Sequence, residues 1–156
     1  MTPFAVPSMV HTITASQQRA GAALLLFNTA LAAGQKRSFW AKWTGRATGL
    51  RHLDRPATGR QGGSFIGRRT VRIADIRGSE GRTGDFDDQF HPLSSRSRQR
   101  WASVARAVEE GVPLPPVELI QAGAEYYVRD GHHRISVAAA LGMEMVEATV
   151  TQWNGN

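Results

Sequence analysis

Residues 117–142 read VELIQAGAEYYVRDGHHRISVAAALG, and this stretch decides most of what the sequence predicts about the fold. Two runs rich in apolar residues, 117–121 and 125–129, flank a short turn with a glycine, which is typical of a β-hairpin. The next segment, 131–141, has helical spacing and is followed by Gly142, a common helix stop. The stretch therefore predicts a strand, a tight turn, a second strand and a helix in direct succession.

The segments on either side complete a small domain. Apolar residues alternate with charged ones at 71–76, which predicts a strand, and residues 95–110 have one apolar helical face. A last strand is predicted at 145–153. The order strand, helix, strand, strand, helix, strand favours the α+β class with a small mixed sheet. We expect this domain to span residues 70–156.

Residues 1–69 are predicted to form a separate helical and basic extension. Helical spacing predicts a helix over 16–33, with Ser16 as its N-cap and Gly34 as its stop. A glycine-rich stretch, TGRQGGSFIGRR at 58–69, predicts a linker to the domain.

Three aromatic residues in this extension, Phe39, Trp40 and Trp43, also have helical spacing. They are consistent with a short helix that docks on the domain. Together with the neighbouring lysines and arginines, they are also consistent with stacking on nucleic-acid bases. The spacing favours docking.

The charge is distributed unevenly along the chain. Residues 1–70 contain ten lysines and arginines against a single acid, whereas residues 71–156 contain nine basic and twelve acidic side chains. A basic segment of this kind attracts polyanions. We expect nonspecific contact with DNA through residues 35–69.

The composition also excludes several classes of protein. There is no cysteine, so disulfides, thiolate catalysis and cysteine metal sites are excluded. The apolar run at 20–34 is too short to span a bilayer, and the residues before it are a poor signal-peptide start. We therefore expect a cytoplasmic protein without a membrane partner.

The candidate site lies where the hairpin enters the helix. The first amides of a helix have no partner within it and, together with the helix dipole, they bind anions. Gly131 permits close approach to the backbone, and His132, His133 and Arg134 add side-chain donors. This arrangement predicts a phosphate site. Asp130 is interpreted as the N-cap, with magnesium binding as its alternative role.

A second group of candidates follows the strand predicted at 71–76. Glu80 could bind magnesium or act as a general base, and Arg82 could contact phosphate, because both lie in a loop expected to be flexible. Adjacent histidines diverge on a helix, so a transition-metal site is not expected even with the further ligands that the loop offers. These are His91, Asp85, Asp87 and Asp88.

The order of elements from about residue 70 to 153, together with DGHHR at 130–134, resembles the ParB/sulfiredoxin superfamily. The resemblance implies a small α+β domain whose glycine-containing motif binds nucleotide phosphates. Sulfiredoxins have a catalytic cysteine where this chain has His132, so sulfinic acid reductase activity is excluded. The free serine kinases of the superfamily have an Asp-Gly-His-x-Arg motif that is similar to residues 130–134, and they use a glutamate to which Glu80 could correspond.

Two functions are consistent with these residues. The first is a ParB-like module that binds a nucleoside triphosphate, ATP or CTP with magnesium, with the loop at 77–88 closing over the ligand. The second is an enzyme, either a small-molecule kinase or a ParB-like nuclease, in which Glu80 and His133 are catalytic. A third interpretation is a domain that retains the fold and binds nothing. The first is the prediction adopted here.

Overall fold

The computed structural model describes residues 14–53 and 63–153. The class is α+β, as predicted, with helices and a mixed six-stranded sheet. The elements in chain order are α1 (Ala15–Thr44), β1 (Arg51–His52), β2 (Gly63–Arg72), β3 (Ile76–Ser79), α2 (Arg98–Glu109), β4 (Val117–Ala122), β5 (Glu125–Asp130), α3 (His132–Ala140) and β6 (Met145–Trp153).

The strands are arranged in the order β1-β3-β5-β4-β6-β2. The hairpin of β4 and β5 is antiparallel and lies at the centre, as its sequence predicts. Strand β3 runs parallel to β5, and β6 runs parallel to β4, so each flank adds a parallel strand to the hairpin. Strand β2 closes one edge by antiparallel pairing with β6, and β1 closes the other by parallel pairing with β3.

The main core joins the three helices to one face of the sheet. Trp101 of α2 is fully buried and meets Phe27 of α1 edge to face, with 5.5 Å between ring centroids. The indole Nε1 of Trp101 donates to Ser136 Oγ of α3 at 2.8 Å, so its one polar atom is satisfied in the core. A smaller cluster contains Leu53, Ile120 and Tyr127.

Helix α1 is longer than the sequence predicts and starts earlier. Its N-cap is Thr14 rather than Ser16, and it continues through Gly34 to Gly45, which ends it in the left-handed conformation with φ 65°. Gly34 is buried because the loop before α2 packs against it. A Cβ there would lie 2.7 Å from the carbonyl oxygen of Pro92. This glycine therefore permits a close contact between segments and does not end the helix.

The predicted boundary between residues 69 and 70 falls inside β2. This strand begins at Gly63, within the segment predicted as linker, because its residues pair with β6 along the sheet edge. The predicted strand at 71–76 is interrupted by a 3₁₀ turn at Ile73–Asp75, which takes the chain from β2 to β3 near the other edge. The predictions for residues 1–13 and 54–62 lie outside the described residues.

The aromatic residues Phe39, Trp40 and Trp43 do not dock a helix on the domain. They belong to the second half of α1, and their exposed fractions are 57%, 57% and 77%. Among the described helices, none combines the length and apolar character needed to cross a bilayer.

Candidate phosphate-binding site

The candidate residues meet at one end of the sheet. Strands β3 and β5 are parallel neighbours, so both end on the same side. The chain leaves β3 into the loop 80–93 and leaves β5 directly into α3. Ligands of open sheets bind outside the carboxyl ends of parallel strands, which is where these two connections lie.

The first turn of α3 has no side-chain cap. Its N-cap is Gly131, with φ 101°, and no acidic residue lies in the first turn. Asp130 is therefore not the N-cap that the sequence suggested; it ends β5. A Cβ on Gly131 would lie 2.7 Å from Cγ1 of Val117, so both the backbone angle and the packing require glycine. The first amides of the helix are left available to a ligand.

His132 is buried and bound to the strand beside it. Its Nε2 lies 2.7 Å from Ser79 Oγ, while that same oxygen accepts the amides of Gly81 and Arg82 at 3.1 and 3.0 Å. With both lone pairs used, the hydroxyl hydrogen has two acceptors, and His132 Nε2 at 2.7 Å is closer than the carbonyl oxygen of Val128 at 3.4 Å, which favours a neutral His132 with its proton on Nδ1. Burial, reinforced by the positive charge of Arg82, lowers the pKa of His132 to about 4.

His133 is also neutral but is bound differently. Its ring meets Phe86 edge to face at 5.5 Å between centroids, whereas His132 stacks on the same phenyl ring. Burial lowers the pKa of His133, and the charges of Arg100 and Arg82 lower it further. Its Nε2 is buried with no hydrogen-bond partner among the described residues. An unsatisfied buried nitrogen is costly, so this atom suits a ligand or a water.

Arg134 is bound by the protein itself. One terminal nitrogen, Nη1, donates to the carbonyl oxygens of Pro115 and Pro116, and Nη2 donates to the Asp130 carboxylate at 2.7 Å. These bonds tie the start of α3 to the segment before β4. The sequence predicted Arg134 as a phosphate ligand; the structure places its guanidinium on these three acceptors.

Asp130 is the candidate magnesium ligand, and its side chain is 68% exposed while it pairs with Arg134. Residues 14–53 and 63–153 contain no group of three histidines or carboxylates arranged to bind a metal. The donor set around Asp130 therefore fits only a magnesium ion that arrives with phosphate oxygens as its other ligands.

The loop residues Glu80 and Arg82 lie at the same end of the sheet. The Glu80 carboxylate accepts from Arg129 Nε at 3.2 Å, and its backbone amide donates to Val128. The Arg82 side chain is about half exposed and lies 3.8 Å from Asp85, a loose ion pair. Its charge acts on both His132 and His133, so Arg82 belongs to the candidate site.

The second half of the loop is anchored rather than flexible. Asp87 is fully buried and accepts hydrogen bonds from the amides of Gln89 and His91, from the ring of His91 and from Arg37 of α1. Burial alone would raise the pKa of Asp87, but these hydrogen bonds outweigh it and lower the pKa. Any closure over a ligand is thereby confined to residues 81–85, of which all but the half-buried Thr83 are exposed.

Two residues of the site were not predicted from the sequence. Ser79 organises the turn after β3, and Arg100 of α2 adds positive charge beside His133. The signal for Ser79 was its place directly before the candidate residue Glu80, in the loop predicted after the strand at 71–76. Arg100 had no such signal, because the contact between α2 and α3 is tertiary.

Comparison with known proteins yields only distant structural similarity. No family model matches the chain, and no curated protein matches it in sequence. Among solved structures, sulfiredoxin from Arabidopsis thaliana matches with a TM-score of 0.43 and 16% identity, over 55% of this chain and 85% of that chain. A similarity this distant assigns neither family nor activity, so any function has to follow from the residues of the site.

Proposed function

We propose that this protein binds a nucleoside triphosphate, ATP or CTP with magnesium, through its phosphates at the start of α3. The observation on which the proposal rests is the uncapped first turn after Gly131, where the charges of Arg82 and Arg100 act on His133. Backbone amides, a helix dipole and adjacent positive charge together stabilise a multiply charged anion.

The neutral histidines support an anionic ligand of this kind. His132 and His133 both have lowered pKa values, so near neutral pH they donate or accept single hydrogen bonds without adding charge. The buried Nε2 of His133 would gain a partner when a ligand oxygen or its bound water fills the site. The anion is then stabilised by Arg82, Arg100 and the amides.

Arg134 contributes to this site first by fixing its geometry. A direct contact with phosphate requires phosphate oxygens to replace the Asp130 carboxylate on Nη2. That exchange substitutes one anion for another, so its net free energy is small. It would also release Asp130, whose carboxylate could then bind the magnesium that accompanies the triphosphate.

A phosphotransferase is the second candidate, favoured by the neutral state of His133. A neutral imidazole with a free nitrogen can accept a proton from a hydroxyl substrate. Glu80, the other predicted catalytic residue, is paired with Arg129. Nuclease chemistry with two metal ions has less support, because the described residues lack a cluster of carboxylates.

The basic N-terminal part adds a proposed association with DNA. Within residues 35–69, the described cations include pairs already neutralised, such as Arg37 with Asp87 and Arg51 with Glu125. Others have no ion pair among the described residues, and these are Lys36, Lys42, Arg46, Arg68 and Arg69. They support electrostatic, sequence-independent binding.

Nucleotide binding is tested by thermal shift and calorimetry with ATP, CTP, GTP and inorganic phosphate, each with and without magnesium. A ligand of the folded state raises the unfolding midpoint. We expect Arg82→Ala to weaken binding of the preferred triphosphate about tenfold or more, the loss typical of one charge-assisted hydrogen bond. The matched control is Arg106→Ala, an exposed arginine in the last turn of α2.

Three results would contradict the proposal. No midpoint shift with any triphosphate excludes nucleotide binding. Equal shifts with phosphate and triphosphate reduce the site to a simple anion site. An unchanged dissociation constant in Arg82→Ala places the ligand elsewhere on the molecule.

A further inference from the structure

The second half of α1 presents a solvent-exposed stripe of aromatic residues. Trp40 and Trp43 are 57% and 77% exposed, and Phe39 lies against Trp40 with 6.0 Å between ring centroids. The helix faces its partners on the opposite side, where Phe27 and Ala41 are buried. Large exposed aromatic surfaces on a soluble protein mark binding sites.

Cations lie within this stripe. Lys36, Trp40 and Trp43 have the spacing i, i+4, i+7, so they occupy one face of the helix, with Lys36 one turn before Trp40. Lys42 and Arg46 flank it. None of the three cations has an ion pair among the described residues, whereas Arg37 on the adjoining face is neutralised by Asp87 and Asp88.

The stripe borders a groove at the end of α1. The groove has a volume of about 570 Å³, and its lining includes Lys36, Trp40, Thr44 and Arg46 together with the ion pair of Arg37 and Asp88. Sites for small ligands typically measure roughly 300 to 1,000 Å³. A groove of this volume has room for one unpaired nucleotide, whose base could stack on Trp40 while its phosphate contacts Lys36 and Arg46.

We infer that this surface, Lys36 to Arg46, binds single-stranded nucleic acid by stacking unpaired bases on Trp40 and Trp43 while Lys36, Lys42 and Arg46 contact phosphates. The inference rests on the proposed association with DNA and specifies its partner. A duplex satisfies the cations but keeps its bases stacked internally, so it leaves the indole faces unused. Unpaired bases use both features of the surface.

Two other occupants fit the charges less well. A helix that lies on a membrane keeps its cations on the polar face, away from its aromatic side chains, whereas here Lys36 lies within the aromatic stripe. In a symmetric dimer, the same stripe from each copy would meet, which brings like charges together. A polyanion with exposed aromatic bases avoids both conflicts.

The test measures fluorescence anisotropy of a labelled 12-residue oligothymidine and of a duplex of equal length, with the full chain. We expect the single strand to bind at least tenfold tighter than the duplex. The double variant Trp40→Ala/Trp43→Ala should weaken single-strand binding about tenfold or more, as expected when base stacking is lost. Phe65→Ala, which removes a 71% exposed aromatic side chain of β2, is the matched control and should change nothing.

Salt dependence tests the phosphate contacts. For single strands, each phosphate contact contributes about −0.7 to the slope of log K against log salt concentration. The triple variant Lys36→Gln/Lys42→Gln/Arg46→Gln should therefore flatten that slope by about 2. The variant Arg82→Ala should retain oligonucleotide binding, which separates this surface from the triphosphate site.

Several outcomes overturn the inference. If duplex and single strand bind with equal affinity, and Trp40→Ala/Trp43→Ala changes neither affinity, then the protein binds DNA without base stacking. If neither DNA binds, both the DNA association and the base stacking are wrong. Binding only to phosphatidylserine vesicles would assign the stripe to a membrane. A dimer that dissociates in Trp40→Ala/Trp43→Ala, seen by sedimentation, would assign it to a second copy.

Discussion

Arg134 shows how single residues establish the candidate site. A cation in the first turn of a helix opposes the helix dipole, at a cost of a few tenths of a kcal/mol up to about 1 kcal/mol. In this chain the cost is offset within the protein, because Asp130 and the carbonyl oxygens of Pro115 and Pro116 receive the guanidinium. Arg82 and Arg100 then supply the positive charge that remains for a ligand.

Gly131 is predicted to be irreplaceable for two reasons that can be separated. Gly131 has a positive φ, and a Cβ added there would lie 2.7 Å from Cγ1 of Val117. Gly123 also has a positive φ, 63°, but a Cβ added there would have no atom within 4 Å. We expect Gly123→Ala to lower the free energy of unfolding by about 1 to 2 kcal/mol, the usual cost of left-handed backbone. Gly131→Ala should cost clearly more because the clash adds to it. Urea denaturation of both variants measures the difference, and equal losses would contradict it.

The buried His132 predicts a loss of stability in acid. Its pKa of about 4 in the folded state lies below the unfolded value of about 6.5, so the unfolded chain takes up the proton first. The stability contributed by the neutral ring is present above pH 6.5 and is lost as the pH falls towards 4. From pH 7 to pH 5 this amounts to about 2 kcal/mol.

The conservative variant His132→Gln isolates this contribution. A glutamine oxygen can accept the Ser79 hydroxyl in place of Nε2, and it does not titrate. Chemical denaturation at pH 7 and pH 5 should therefore show a smaller difference for the variant than for the parent chain. The same difference in both would mean that His132 is charged in the folded protein.

At the scale of elements, the loop before α2 holds the structure together through Asp87. This carboxylate is fully buried and joins α1 to the loop through Arg37, while Asp88 beside it pairs with the same arginine at the surface. The close approach of Pro92 to Gly34 is a second contact between these segments. Helix α1 is thereby fixed to the domain along its middle.

Asp87→Asn is predicted to be strongly destabilising, and Asp88→Asn nearly neutral. In Asp87→Asn an amide NH₂ replaces the buried oxygen that bonds Arg37 Nε and the His91 ring, and each lost hydrogen bond to a charged group costs about 1.5 to 3 kcal/mol. A surface pair contributes about 0 to 1 kcal/mol. Urea denaturation of the two variants should show this contrast. Similar losses would indicate that Asp87 is not the anchor of the loop.

The elements differ in how well the sequence predicted them. The hairpin, α2, α3 and β6 were predicted because each has its own periodicity and a glycine or turn at its end. The length of α1 was not predicted. A glycine that follows helical spacing usually indicates a helix stop, but Gly34 lies within the helix and is buried against another segment. Strand β2 was hidden within a glycine-rich stretch because its pairing with distant β6, rather than local pattern, makes it a strand.

At the scale of the whole molecule, the described part of the N-terminal half belongs to the fold. Helix α1 supplies Phe27 to the core, and β1 and β2 form both edges of the sheet. Deleting residues 1–69 would therefore remove core and sheet edges along with the basic residues, so point variants are the suitable probes of DNA binding. The charge asymmetry was visible in the sequence. That the N-terminal half shares one core with the rest of the fold was not, because this depends on tertiary contacts.

The candidate site stays a prediction, and only part of its geometry was visible in the sequence. Residues 130–134 were selected because a glycine lies between a predicted strand and a predicted helix, with Asp130 interpreted as the N-cap, whereas the helix start has no side-chain cap. The sequence did not reveal that Arg134 bonds to the protein's own carbonyl oxygens, or that Ser79 and Arg100 border the site, because these contacts join residues distant in sequence.

Amide chemical shifts test whether a triphosphate binds at the first turn of α3. Titration of the ¹⁵N-labelled chain with ATP or CTP and magnesium should shift the amides of Gly131, His132, His133 and Arg134 in a saturable manner, together with Arg82 in the neighbouring loop. Saturable shifts confined to the second half of α1, or no shifts at residues 131–134 at millimolar nucleotide, would contradict it.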